Sequence, residues 1–162
     1  MAKKGKKNEY TADGVKILSV NRKARFNYMV EETLECGIEL KGTEVKSLRN
    51  GKFSFSDSYA IVNKMELWLI ALHISPYDFG NIHNHDPERK RRLLAHKQEI
   101  KKLSRKIDQK GYALVPLKVY LKNSKIKVEI GICRGKNVQD KRDTIKARDE
   151  KRSVEREFRQ RL

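Results

Sequence analysis

The chain of 162 residues is long enough for one domain around one hydrophobic core and too short for two. Its 38 Lys and Arg against 21 Asp and Glu leave a formal charge of +17, which favours a polyanionic partner. No run of about 18 apolar residues occurs, so no membrane-spanning helix is expected. The basic start Met1-Ala2-Lys3-Lys4-Gly5-Lys6-Lys7 leads into Asn8-Glu9-Tyr10 rather than an apolar stretch, so no secretory signal is expected and the chain should work in the cytoplasm.

Taken in order, residues 1–14 are Lys-rich and read as a flexible basic arm, and residues 15–134 hold nearly all the large apolar side chains of the globular unit. A first strand is expected over Val15–Val20. From Tyr28 to Leu40 the period is two, with Tyr28, Val30, Leu34, Cys36 and Ile38 on one face and Glu31, Glu35 and Glu39 on the other, the pattern of a half-buried strand with an acidic outer face. A short helix follows over 43–49, with Thr43 as N-cap and Asn50-Gly51 as its stop. Residues 53–62 and 65–74 read as two strands joined at Asn63-Lys64. A long helix is expected from Asp86-Pro87 to Gly111, with Leu93, Ile100, Leu103 and Ile107 as its buried stripe; between Pro87 and Lys110 it carries ten Lys or Arg and three acids. The alternating runs 113–121 and 126–132, turned at Asn123-Ser124, complete six strands. The fold expected is mainly β: a small, closed, antiparallel six-stranded barrel of the oligonucleotide-binding type, with two to three helices packed on it. From Gly135 to Leu162 charge crowds out apolar residues, and this tail is expected to be disordered alone and to fold on a partner.

Basic residues cluster at Lys3–Lys7, Arg22-Lys23-Ala24-Arg25, Lys46/Arg49/Lys52, Arg89-Lys90-Arg91-Arg92 and Lys97/Lys101/Lys102/Arg105/Lys106, a distribution suited to nucleic-acid phosphates. Asn21 and Glu35 are the polar groups suited to specific readout: a carboxylate accepts from base amino groups but is repelled by phosphate. Glu35 reads equally as the counterweight of a nearby Lys. His83-Asn84-His85-Asp86 has ligand chemistry for a divalent ion, the basis of a metal-dependent nuclease as a remote alternative. Asp86 is already taken as a helix cap, and no metal or other cofactor is expected. Cys36 and Cys133 are too few for a disulfide framework and read as reduced core residues. No nucleophile or glycine-rich phosphate loop is apparent, so no enzyme is expected. In the tail, Val154, Phe158 and Leu162 share one helical face, and from Arg134 onward 11 positive residues meet 6 negative, a balance suited to a negatively charged channel.

The runs Asn21-Arg22-Lys23-Ala24-Arg25, Gly42-Thr43-Glu44-Val45-Lys46-Ser47-Leu48-Arg49, Asp57-Ser58-Tyr59, Asp86-Pro87 with Arg91-Arg92-Leu93-Leu94, and Gly135-Lys136 with Asp140-Lys141-Arg142 stand in the order found in the SmpB family of bacterial trans-translation, which the chain resembles from about Val15 to Arg148. The resemblance implies a small barrel that binds the tRNA-like domain of transfer-messenger RNA and delivers it, with elongation factor Tu, to ribosomes stalled without a stop codon. It puts RNA contacts on Asn21, Glu35 and Leu94, with Arg22 and Lys23 beside the first; Arg25, Lys46, Arg49 and Arg91 of the basic clusters are expected to bind the RNA with them. It also implies a tail, carrying Gly135, Lys136, Asp140, Lys141, Arg142, Lys146, Arg148 and Phe158, that becomes helical in the empty mRNA channel of the small subunit near the decoding region. The family usually has an aromatic residue or His before the Asp-Lys-Arg triplet; here Gln139 stands there and offers a hydrogen bond in place of a stacking ring. The chain is expected to be monomeric, and a generic ribosomal or single-strand RNA-binding barrel is the alternative.

Overall fold

Strands dominate the computed structural model, which describes residues 14–108 and 111–160; of the basic arm, residues 1–13 lie outside that range. In chain order the elements are β1 (Val15–Val20), α1 (Arg22–Asn27), β2 (Tyr28–Ile38), α2 (Gly42–Arg49), β3 (Phe53–Ser54), β4 (Tyr59–Asn63), β5 (Glu66–Ile70), β6 (His73–Ile74), β7 (Arg91–Leu94), α3 (Lys97–Ile107), β8 (Tyr112–Lys122), β9 (Lys125–Gly135) and α4 (Val138–Gln160). The main sheet is antiparallel and runs β1-β8-β4-β5-β7-β2-β9, and β8 also pairs with β9. β3 and β6 form a separate two-stranded sheet. The hairpin expected at Asn123-Ser124 is present, and both residues have positive φ (+49° and +62°), the backbone twist that a two-residue hairpin turn matches to its strands.

The core follows from the alternation in these strands. Cys36, Leu67, Leu69, Leu93, Leu114, Val119, Val128 and Ile130 point inward, and α3 covers them with Ile100 and Leu103. A smaller cluster of Ala24, Val115, Leu117 and Cys133 seats α1 on β8 and β9. The two clusters draw on opposite faces of β8. Leu114 and Val119 belong to the first and Val115 and Leu117 to the second, because the register shifts between Pro116 and Lys118; such a bulge moves the following side chains to the other face.

Several expectations are corrected. The runs 53–62 and 65–74 each break into two short strands, and with β7, which was not expected, the described residues hold nine strands rather than six. The long helix is confined to Lys97–Ile107. Arg91–Leu94 is instead a strand between β5 and β2, inward at Arg91 and Leu93 and outward at Arg92 and Leu94. Its neighbours' free backbone groups decide the matter. The Asp86-Pro87 cap signal serves a turn, in which Asp86 Oδ1 accepts from the Glu88 amide at 2.9 Å. α1 is not foreseen at all. The tail, expected to be disordered alone and helical on a partner, forms α4 from Val138 to Gln160, a run rich in Lys, Arg, Glu and Gln, whose helix propensities are high.

One buried polar cluster ties these elements together. Arg91 is fully buried and Glu44 is 5% exposed. Arg91 Nε donates to Glu44 Oε1 at 2.9 Å, Nη1 to the carbonyls of Leu72 (2.6 Å) and Arg89 (3.1 Å), and Nη2 to the Pro87 carbonyl (2.9 Å). Arg89 holds the same carboxylate from outside with Nε at 2.8 Å and Nη2 at 2.6 Å, and the Lys41 amide donates to Oε2 at 2.7 Å. Burial alone would raise the Glu44 carboxyl, but Arg89, the Lys41 amide and Arg91 outweigh it and hold Glu44 below the usual carboxylate range. Removing the carboxylate leaves Arg91 buried without its counter-charge. Glu44→Ala is therefore expected to lose about 3–5 kcal/mol of stability, read from urea unfolding by circular dichroism. A depressed folded-state pKa means that the unfolded chain binds the proton more readily. The contribution of Glu44 is thus complete above the unfolded value of about 4.3 and fades as the pH falls below it. Urea midpoints should drop below about pH 4 and do so less steeply in Glu44→Gln.

Candidate nucleic-acid interface

Asn21 starts α1. Its side-chain oxygen accepts from the Ala24 amide at 2.9 Å, its amide nitrogen donates to the Pro116 carbonyl at 3.0 Å, and its backbone N–H bonds Leu117 O at 2.7 Å. The side chain is buried, so its part here is to fix a short helix from which Arg22, Lys23 and Arg25 project into solvent. Lys23 meets Asp57 at 3.5 Å with both side chains exposed, a contact water weakens. Beside it lies a cleft of about 340 Å³ lined by Asn21, Lys23, Asn27, Asp57, Ser58 and Tyr59 among others; the buried Ser58 hydroxyl has no hydrogen-bond partner.

Glu35 stands near the other end of β2, seven residues beyond Tyr28, or roughly 20 Å by strand rise. Tyr120 Oη donates to its Oε2 at 2.5 Å, and Lys122 Nζ approaches both oxygens at 3.1 and 3.2 Å. The hydrogen bond from Tyr120, then that from Lys122, holds the Glu35 carboxyl below the usual range; burial, then the bond to Glu35, pushes the Tyr120 hydroxyl up. The result is a fixed carboxylate, partly exposed, on a basic surface. Two residues on, Gly37 pairs with Leu94 of β7 and Lys127 of β9, and a Cβ at Gly37 would lie 3.2 Å from Leu94 Cβ. The absent side chain leaves Leu94, 52% exposed, as one wall of a groove of about 470 Å³ with Val45, Ile126, Lys125 and Lys127. Arg49 reaches the rim, where Nη2 donates to Ser124 O at 3.3 Å. Lys46, on the same helix, sits 5.2 Å over the Tyr77 ring. Glu35, Leu94 and Arg49 thus gather at one end of the sheet, and Asn21 with α1 at the other.

Arg91 does not belong to this surface. Its guanidinium, expected on an exposed helix, is buried against Glu44 and presents nothing to a ligand. Tyr120 and Lys122, the partners of Glu35, went unforeseen because they lie 85 and 87 residues away in sequence. Only the pairing of β8 with β9 and of β9 with β2 brings them together.

In the tail, Gly135 ends β9 and Lys136 latches the following helix to α1: its amide donates to Asn27 O at 3.0 Å, and its ammonium to Arg25 O at 3.4 Å and Thr144 Oγ1 at 3.1 Å. Asp140 accepts from the Asn137 amide at 3.1 Å at the start of α4. Arg142 and Lys146 are exposed. Arg148 and Arg152 face Arg22, Lys23 and Phe26 across a cleft of about 510 Å³, so two basic segments expected to act apart are adjacent. The side chain of Phe158 lies outside those described. Among the described residues no three His, Cys, Asp or Glu form a group able to hold a metal, and no helix is long and apolar enough to cross a membrane. Burial pushes the Cys36 thiol up to about 12 and that of Cys133 to about 11, so neither is a ready nucleophile.

A mainly β chain of charge +17 with cations massed on α1, α2 and α4 has the make-up of a nucleic-acid-binding protein. The family model described as SmpB protein matches residues 18–160. The chain is 53% identical over 148 residues to the SsrA-binding protein of Desulfitobacterium hafniense, covering 91% of this chain and 95% of that one. It is 54% identical to the SsrA-binding protein of Treponema denticola, covering 89% and 94%. A solved structure described as tmRNA-SmpB on a journey to the centre of the bacterial ribosome superposes with a TM-score of 0.64 at 50% identity, covering 74% of this chain and 85% of the other. The chain belongs to the SmpB family.

Tyr120→Phe tests how Glu35 is held. With the phenolic donor gone, the Glu35 carboxyl should titrate closer to the ordinary glutamate value, and stability should fall by about 1 kcal/mol. Side-chain carboxyl NMR across an acid titration and urea unfolding read the two effects; an unmoved Glu35 resonance profile would contradict the assignment.

Proposed function

We propose that the chain binds the tRNA-like domain of transfer-messenger RNA and delivers it, with elongation factor Tu acting through the RNA, to bacterial ribosomes stalled on messages that lack a stop codon. The observation that carries this reading is membership of the SmpB family along almost the whole chain, with relatives whose names state that they bind SsrA. The role is that of an adaptor in the cytoplasm rather than an enzyme. The succession β8-β4-β5-β7-β2-β9, with β9 returning to β8, is read as a small closed barrel of the oligonucleotide-binding type.

RNA is gripped by shape and phosphate contacts. Arg22, Lys23 and Arg25 on α1, set by Asn21, engage phosphates at one end of the sheet, with Lys46 and Arg49 doing so at the other. Glu35 accepts from a base amino group beside the apolar wall of Leu94; its ionised state, secured by Tyr120 and Lys122, supports that role. The tail makes a separate contact. Lys141, Arg142, Lys146 and Arg148, following Gly135, Lys136 and Asp140, enter the vacant mRNA channel of the small subunit as a helix.

Two variants test the division of labour. Glu35→Arg should weaken binding to the isolated tRNA-like domain by well over the ~1 kcal/mol of an ordinary hydrogen bond in a filter-binding titration, and an unchanged dissociation constant sinks the contact. Lys141→Ala with Arg142→Ala should leave that titration unchanged yet abolish peptide tagging on stalled ribosomes. Competition with unstructured oligonucleotide reads the alternative: preference for the single strand would indicate a generic single-strand-binding barrel.

A further inference from the structure

The loop between β6 and β7 carries two large apolar side chains that nothing among the described residues covers. Phe79 is 82% exposed and Ile82 is 90% exposed, yet the loop that holds them is fixed. The Asn84 side chain clasps Tyr77 at both backbone groups, accepting from its amide at 2.9 Å and donating to its carbonyl at 3.0 Å. The amides of Gly80 and His83 donate to Tyr77 O and Gly80 O, each at 2.8 Å, around a 3-10 turn over Asn81–His83. A Cβ at Gly80 would fall 2.5 Å from Asn84 Oδ1, so the clasp requires glycine there. Lys52 ties down Asp78. These bonds fix the path of the loop in the structure, with Phe79 facing out.

Beneath the tip is a hollow of about 330 Å³, within the range of small-ligand pockets, whose walls include Lys46, Tyr77, Phe79, His83 and His85. The Tyr77 and Phe79 rings meet edge to face at 5.7 Å, and Lys46 Nζ stands 5.2 Å from the Tyr77 centroid. Among the described residues no carboxylate lines the hollow. Exposed π-faces next to an ammonium and two imidazoles suit a ligand that is both flat and anionic, and an apolar protein segment would leave Lys46 unmatched. We propose that this loop is a stacking platform for one unpaired RNA base, with Phe79 against the base and Lys46 against its phosphate. The platform rests on the reading that the chain binds RNA, and it gives the His83-Asn84-His85 run a structural and binding role in place of metal ligation.

The test uses the full chain and a single-stranded RNA hexamer carrying 2-aminopurine, whose fluorescence falls on stacking. The wild type should quench it in a saturable titration. Phe79→Ala should weaken that titration by about tenfold, and Phe79→Trp should restore it. A wild-type chain that does not quench, or a Phe79→Ala variant that titrates like the wild type, overturns the platform. Replacing Phe79 by p-benzoylphenylalanine and irradiating with transfer-messenger RNA and ribosomes supplies a second readout. An RNA adduct supports the proposal, whereas an adduct to ribosomal protein alone, or none, overturns it. Binding of the isolated tRNA-like domain is measured in parallel, and its absence would count against the proposed function while leaving the hexamer result to stand or fall by itself.

Discussion

A guanidinium without access to water organises this fold. Arg91 carries five N–H donors; four hydrogen bonds run from them to Glu44 and the carbonyls of Leu72, Arg89 and Pro87, and Nη2 also lies 2.9 Å from Glu44 Oε1. The same contacts place the start of α2 and the end of the long loop before β7. β7 is the strand that joins β5 to β2, so fixing its register sets what it shows outside. With Arg91 and Leu93 turned inward, Leu94 must face out beside Gly37. A slip by one residue would bury Arg92 and Leu94 instead. A buried ion pair of this sort is a weak source of net stability, and its physical value is that it rejects the wrong register.

The minority acids sort the cations. Glu32 takes Lys102 and Lys106, Glu129 takes Lys118, Glu66 takes Arg92, and Glu44 takes Arg89 and Arg91. Two of the five cations of α3, Lys102 and Lys106, are therefore engaged within the molecule. On α1 and the facing side of α4 the ion pairs are weak: Lys23 with Asp57 at 3.5 Å, and Arg152 with Asp149 at 3.9 Å, all well exposed. Charge held so loosely is available to a phosphate, and interactions made by it weaken with salt. Glu35 is held by two donors of different kind, the neutral Tyr120 phenol and the Lys122 ammonium, and Glu31 likewise accepts from the Tyr112 phenol.

Period-two patterning made β2, β5 and the β8–β9 hairpin legible from sequence, together with the burial of Cys36 and the outward placement of Glu35. Where the reading failed, the deciding partner was distant. Arg91-Arg92-Leu93-Leu94 looks helical by composition and becomes a strand because β5 and β2 offer it backbone partners. Arg91 looks like a surface cation because nothing local announces that Glu44, 47 residues earlier, will meet it in the interior. The run from Ala113 to Leu121 looks like one alternating face until the bulge at Pro116/Lys118 divides it between two clusters. α1 was missed for the opposite reason. Its only signal is the Asn21 cap on six residues, too short for periodicity to register.

Lys136 sets how the tail can move. It lies between the end of β9 and the start of α4, and the hydrogen bonds it makes, to Asn27, Arg25 and Thr144, reach exposed or half-buried groups. Each such hydrogen bond is worth about 1 kcal/mol net in water, so a polyanionic surface that attracts α4 has little to overcome at the hinge. The bonds that begin the helix, Lys141 N–H to Asn137 O and the Asn137 amide to Asp140, lie wholly on the tail side and travel with it. α4 can therefore be re-aimed as a helix while β9 stays paired with β2 and β8. On the proposed reading, one chain holds a folded RNA on a rigid sheet and directs a second basic element elsewhere, with Lys136 as the pivot between them.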